Sequence, residues 1–326
     1  MAKRAAGGSS YAKCGCFGCL GAAGLFVIVA GCIALIALLM GPPPQEFVDP
    51  GIARTLPVPV AQPGSIAPDR GTQLPGGEFR PLDPPPGRIE LRLSGGEFEI
   101  VAGEPGSPVT VGGRYNAGAF EITEELRERE DGGWTYLLRF RRSVSWMRML
   151  YGDQHEGNRV RISLPRGVPF TLVGDVGTGI SRWELGGLWL VGADLRIRTG
   201  EHRLGFDEPA PEPMGRFELD ARMGEFGVSR LGNASPSAIG IRGGMGEMRL
   251  DLRGQWRNDT EVAGRWRMGP FEVRVPLDVE VEIDNATVFM GAADTSRLRG
   301  RPDPPEGAPT IRLDLAASMG ELVVRP

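Results

Sequence analysis

The chain is poor in the residues that most often do chemistry. Beyond Cys32 it has no cysteine; Cys14, Cys16, Cys19 and Cys32 all lie within the first 32 of its 326 residues. The larger part is therefore expected to have no disulfide and no thiolate metal site, and must be stable through its own core. Histidine occurs twice. His155 lies in a charged loop, GDQHEGN, and His202 in a repeat slot otherwise filled by Phe226, Met248, Phe271 and Leu322, which makes it a wall residue. There is no GxSxG, and the GTG at 177–179 opens no helix and is too weak for a nucleotide loop. Lysine is nearly absent, with Lys3 and Lys13 the only two. Basic and acidic residues number 37 and 41 and are interspersed, so no basic stripe is available to displace counterions from nucleic acid. These absences predict no catalytic residue, no cofactor and no metal site, and hence no enzyme.

One long apolar run is present. Leu20 to Met40 carries no charge over 21 residues, about the length that spans a hydrocarbon core. Lys3, Arg4 and Lys13 precede it, and Glu46 and Asp49 follow. The asymmetry predicts one transmembrane helix over 20–40, with 1–19 cytoplasmic and everything later outside. VAGC at 29–32 also resembles a lipobox, which makes Cys32 a candidate lipidation site, although IALIALLM follows it. The thiols of CGCFGC (14–19) admit three readings: small-residue packing, acylation, or a soft metal ion without a fourth ligand.

Glycine (49) and proline (28) make up almost a quarter of the chain, close to a low-complexity signal. The proline is clustered, however, with 13 between residues 41 and 87. That stretch reads as a stiff, extended linker. The glycine is periodic. Gly179, Gly200, Gly224, Gly246, Gly269, Gly291 and Gly320 are separated by 21, 24, 22, 23, 22 and 29 residues. A repeat near 22 predicts stacked coils. Between the glycines the residues alternate strictly, as in RIELRLSG with Ile89, Leu91 and Leu93 inward, and in TIRLDLAASM with Ile311, Leu313, Leu315, Ala317 and Met319 inward. The parity of inward residues switches at each glycine. In LDARMGEFGV, Leu219, Ala221 and Met223 share one parity and Phe226 and Val228 the other; Met245/Met248 and Met319/Leu322 repeat the switch. Gly-Glu is therefore read as a corner or a G1-type bulge, said once per coil. Gly96 holds the same place in SGGEFEI. Seven coils would make an all-β roll roughly 35 Å long over 88–326.

Glu97, Glu201, Glu225, Glu247 and Glu321 follow corner glycines. Stacked carboxylates repel unless screened or paired. A calcium ladder is one reading; a solvated corner beside arginines is the other. Between the repeats, VSWMRMLYGD breaks the alternation, and Trp146, Met147, Met149, Leu150 and Tyr151 are either a partner-docking patch or one more core strand.

The tail GPFEVRVPLDVEVEIDNATVFMGAADTSRLRG…APTIRLDLAASMGELVVRP (269–326) resembles the C-terminal domain of LiaF-like proteins of the cell-wall-active antibiotic response. RIELRLSGGEFEIVAGEPGSPVTVGGRY (88–115) and the coils after it resemble toastrack domains. The resemblance implies a right-handed, single-layer β-roll on a membrane-anchored bacterial envelope protein. It also implies an accessory of envelope-stress sensing whose partner is a membrane sensor kinase. A surface adhesin, or a scaffold that self-associates through open edge strands, is the alternative.

Overall fold

The computed structural model describes residues 26, 28–33, 35, 46–56, 85–143 and 157–326. Of the apolar run 20–40 it describes Phe26, residues 28–33 and Leu35, all helical, with Cys32 a free, exposed thiol. No helix among the described residues is long and apolar enough to cross a membrane. Cys14, Cys16, Cys19 and His155 lie outside the described residues, as do Trp146, Met147, Met149, Leu150 and Tyr151.

The strands belong to one compact unit, Gln45–Ser143 with His155–Pro326. They are β1 (Phe47–Val48), β2 (Ile52–Arg54), β3 (Gly87–Pro105), β4 (Val109–Asn116) and β5 (Phe120–Glu128). Next come β6 (Trp134–Arg142), β7 (Arg159–Arg166), β8 (Phe170–Glu184), β9 (Leu190–Gly205) and β10 (Arg216–Ser229). Then follow β11 (Ala238–Asp251), β12 (Thr260–Met268), β13 (Phe271–Arg274), β14 (Glu280–Asp294) and β15 (Thr310–Arg325). The fold is all-β and solenoid-like: long parallel strands stack in register, each bent once at a glycine into a first and a second arm.

The bend explains the parity switch. The eight glycines at positions 96, 179, 200, 224, 246, 269, 291 and 320 have φ between 111° and 144°, where side chains are strained. Gly200, Gly224 and Gly246 lie opposite one another, and the ladders β9–β10 and β10–β11 pass through them without a register shift. The feature is a corner and not a bulge, since no extra residue is accommodated. A Cβ on any of these glycines except Gly96 would collide with the carbonyl of the glycine in the adjacent coil. Inside the bend, neighbouring backbones come too close for side chains.

Geometry at the corner corrects one reading. Leu219, Ala221, Phe226 and Val228 are buried, but Met223 and Met245 are exposed and Met319 is half-buried. Each immediately precedes a corner glycine, so the alternation of the first arm does not carry to its last residue. The coil order also departs from chain order. β15 lies between β12/β13 and β14, so the glycine column runs 269, 320, 291. The long interval of 29 residues before Gly320 holds the connection 295–309 between β14 and β15, with a 3-10 turn at Ser296–Leu298.

Two further features cap the stack. At one end β3 pairs with β6 through its first arm and with β7 through its second, and β5 and β4 extend these in antiparallel fashion. Part of the stretch read as linker is structured. β1 and β2 pair antiparallel with β4, and the Glu46 amide donates to Asn116 Oδ1 at 3.3 Å. An edge strand such as β4 offers unpaired amides and carbonyls, and this short segment satisfies them despite Pro50.

Candidate functional site: an arginine-lined groove on the outer face

Inside the coils the side chains form ladders. Phe98, Ser181, His202, Phe226, Met248, Phe271 and Leu322 lie opposite one another in successive coils. Only one step of this ladder has polar chemistry. Ser181 Oγ and His202 Nδ1 share a 2.7 Å hydrogen bond, and Trp183 Nε1 donates to Ser181 Oγ at 2.8 Å. A serine–histidine pair suggests nucleophilic catalysis. Here both side chains are 0% exposed, and no carboxylate among the described residues orients the imidazole. His202 stacks on Phe226 at 5.6 Å, and its Nε2 has no hydrogen-bond partner among the described residues. Burial pushes its pKa down to about 4, against smaller opposing effects of the Thr199 backbone and Glu201. It is a neutral wall residue.

The accessible chemistry lies outside, on the first arms. Trp266 is buried beneath that face in the space left by Gly243, where an added Cβ would overlap the indole. Its Nε1 donates to the Gly246 carbonyl at 2.9 Å, tying the ring to the corner. Above it, around Gly243 and Gly244, lies an open groove of about 1030 Å³. Arg222, Arg242, Arg265 and Arg267 line it from β10, β11 and β12, and Thr287, Val288 and Phe289 from β14.

These arginines are not equivalent. Arg242 donates to Glu218 at 3.2 Å, and Arg265 is held by the carboxylate and carbonyl of Asp314. Arg222 and Arg267 are exposed and have no ion pair among the described residues. They flank Gly244, where a Cβ would meet the Arg222 carbonyl. The missing side chain leaves a gap of two strand spacings, roughly 9–10 Å, between the two strands that carry them. Phe289 stands 86% exposed at the far end. Two free guanidiniums can bind carboxylate, sulfate or phosphate oxygens in forked fashion, and the phenyl face suits an apolar ring or a sugar.

The glutamates after the glycines are largely compensated. Glu201, Glu225 and Glu247 stack in register. Glu97 pairs with Arg159 and Arg182, Glu201 with Arg203 and Glu247 with Arg249. No group of three or more His, Cys, Asp and Glu side chains among the described residues could hold a metal ion. Sequence reasoning missed Arg222 and Arg267. Their signal is Arg-Met-Gly, which occurs at both 222–224 and 267–269.

Two solved structures are similar to this chain. One is a putative cell adhesion protein from Clostridium sporogenes, 14% identical over 74% of this chain and 92% of that one, with a TM-score of 0.39. The other is a putative adhesin from Bacteroides fragilis, 8% identical over 88% of this chain and all of that one, with a TM-score of 0.34. No family model matches the chain, and no curated protein matches it.

Proposed function

We propose that this chain is a membrane-tethered, extracytoplasmic scaffold of the right-handed toastrack type that works by binding and not by turnover. Its ligand is an acidic polymer, such as a glycan with carboxylate, sulfate or phosphate groups. One observation carries the reading: the serine–histidine pair is sealed in the core, while Arg222 and Arg267, without an ion pair among the described residues, stand over an open groove with Phe289 at its end. The test is binding of the full chain in detergent to polygalacturonate and dextran sulfate, with neutral dextran as control. Binding should fall with salt, as expected for exposed charges. Arg222→Ala with Arg267→Ala should weaken it at least about tenfold, through loss of two charge-assisted contacts. Equal binding to neutral dextran, or no loss in the double variant, overturns the proposal.

The narrower role suggested by the LiaF-like resemblance is a stress-sensing accessory with a membrane sensor kinase as partner. The uncharged run 20–40, with bases before it and acids after it, favours a membrane context. Cross-linking in living cells should then recover a sensor kinase, and exchange of residues 20–40 for an unrelated apolar helix should abolish that recovery. Recovery of wall material, surface proteins or only the chain itself refutes the accessory role.

A further inference from the structure

Five of the eleven methionines occupy a single row. Met223 pairs with Met245, Met245 with Met268, Met268 with Met319, and Met319 with Met290. The row therefore crosses five consecutive coils without interruption, and on β9 it ends at Thr199. Methionine is among the residue types most often buried. Here Met223, Met245, Met268 and Met290 are between 38% and 54% exposed, and Met319 is half-buried. All five immediately precede a corner glycine, where the alternation of the first arm breaks down. The result is a line of neutral thioether sulfurs on a rigid backbone.

We propose that this row is a binding site for a soft monovalent cation, Cu(I) or Ag(I). Thioethers favour such ions over Mg²⁺, Ca²⁺ or Zn²⁺, which prefer oxygen, nitrogen or thiolate donors. Neighbouring coils lie ~4.8 Å apart, so adjacent methionines start within reach of a common ion. Three rotatable bonds per side chain then let two or three sulfurs converge on it. Thioethers carry no proton at any physiological pH, so binding needs no deprotonation. Beyond the glycine column, Glu225 and Glu321 have no ion pair among the described residues and add a favourable field. Arg222 and Arg267 border the row on its other side. Selectivity therefore rests on sulfur and not on charge. The proposal is independent of the polymer-binding groove.

Adjacency is the testable feature. Two double variants remove the same number of sulfurs. Met245→Leu with Met319→Leu leaves Met223, Met268 and Met290, no two of them on neighbouring coils. Met223→Leu with Met290→Leu leaves the contiguous trio Met245, Met268 and Met319. Leucine is close in volume, and the sites are exposed or half-buried, so both variants should fold; thermal melting checks this. The full chain in detergent, with its thiols blocked by N-ethylmaleimide, is titrated anaerobically with Cu(I) against a chromophoric Cu(I) chelator. Ag(I) serves as a redox-inert second probe. The wild type should withdraw Cu(I) from the chelator. The alternating variant should bind at least about tenfold more weakly, and the end variant should stay close to wild type. No competition by the wild type, or equal loss in both variants, overturns the proposal and leaves the row as an apolar docking stripe.

Discussion

Replacing Gly224 by alanine tests the corner column. A Cβ there would sit 1.9 Å from the Gly200 carbonyl oxygen, and Gly224 has φ 137°. Two costs follow. Holding a side chain at that backbone angle costs about 1–3 kcal/mol. Moving β10 away from β9 far enough to admit a methyl group sacrifices two or three ladder hydrogen bonds, at about 0.5–1.5 kcal/mol each. Together the loss is about 4 kcal/mol, a large fraction of the stability of any domain. Gly227, three residues on in the same strand, is the control. Its Cβ would lie 4.0 Å from Arg203 Cγ with nothing nearer. Gly227→Ala should be neutral or stabilise by about 0.4–1 kcal/mol, because it restricts the unfolded chain. Gly96 supplies an intermediate case, since its nearest neighbour is the Asn158 side chain at 3.0 Å and not another glycine. The assay is guanidinium unfolding followed by tryptophan fluorescence, with midpoints compared at equal m. A Gly224→Ala midpoint within about 1 kcal/mol of wild type would refute close backbone approach as the reason for glycine.

Two further outcomes are expected. His202 is neutral in the fold, with its pKa held at about 4, but takes an ordinary value near 6.5 when unfolded. The unfolded state then binds the extra proton between these values, so stability is full above pH 6.5 and falls as pH drops toward 4, by ~3 kcal/mol in all. His202→Leu, which copies Leu322 in the same ladder, should flatten that part of a stability–pH curve; an unchanged slope between pH 6.5 and 4 would count against it. Deleting residues 46–56 should bare the edge of β4 and promote association, read as a concentration-dependent rise in mass by light scattering. A monodisperse deletion variant would mean that β4 needs no cover.

The strands were legible because Ile89, Leu91 and Leu93 alternate with charged residues, and burial follows a period of two. The glycine intervals show where the strands bend, because the same steric demand recurs in each coil. Three features escaped for different reasons. Met223 departs from alternation because the strand bends at the next residue, which a period of two does not register. The place of β15 depends on partners more than 40 residues away, and no local interval encodes it: Gly269 to Gly291 is 22 residues, like a step between true neighbours. The groove depends on what is missing. Gly244 is a gap only because Arg222 and Arg267 fall on either side of it in adjacent coils. Glu97, Glu201 and Glu247 were legible as a charge problem, and the nearby arginines solve it.

The exchange of the last two layers bears on the order of assembly. β8 docks on β3 and each coil from β9 to β12 on the one made just before it, so the stack can grow like a zipper from its capped end. β14 has no such seat, because its partner β15 follows it in the chain. The segment from β14 through β15 must therefore settle as a pair, with β15 closing against β12 and β13 while carrying β14 on its far side. The final step, the docking of this parallel pair, is a latch, and stability at that end arrives all at once.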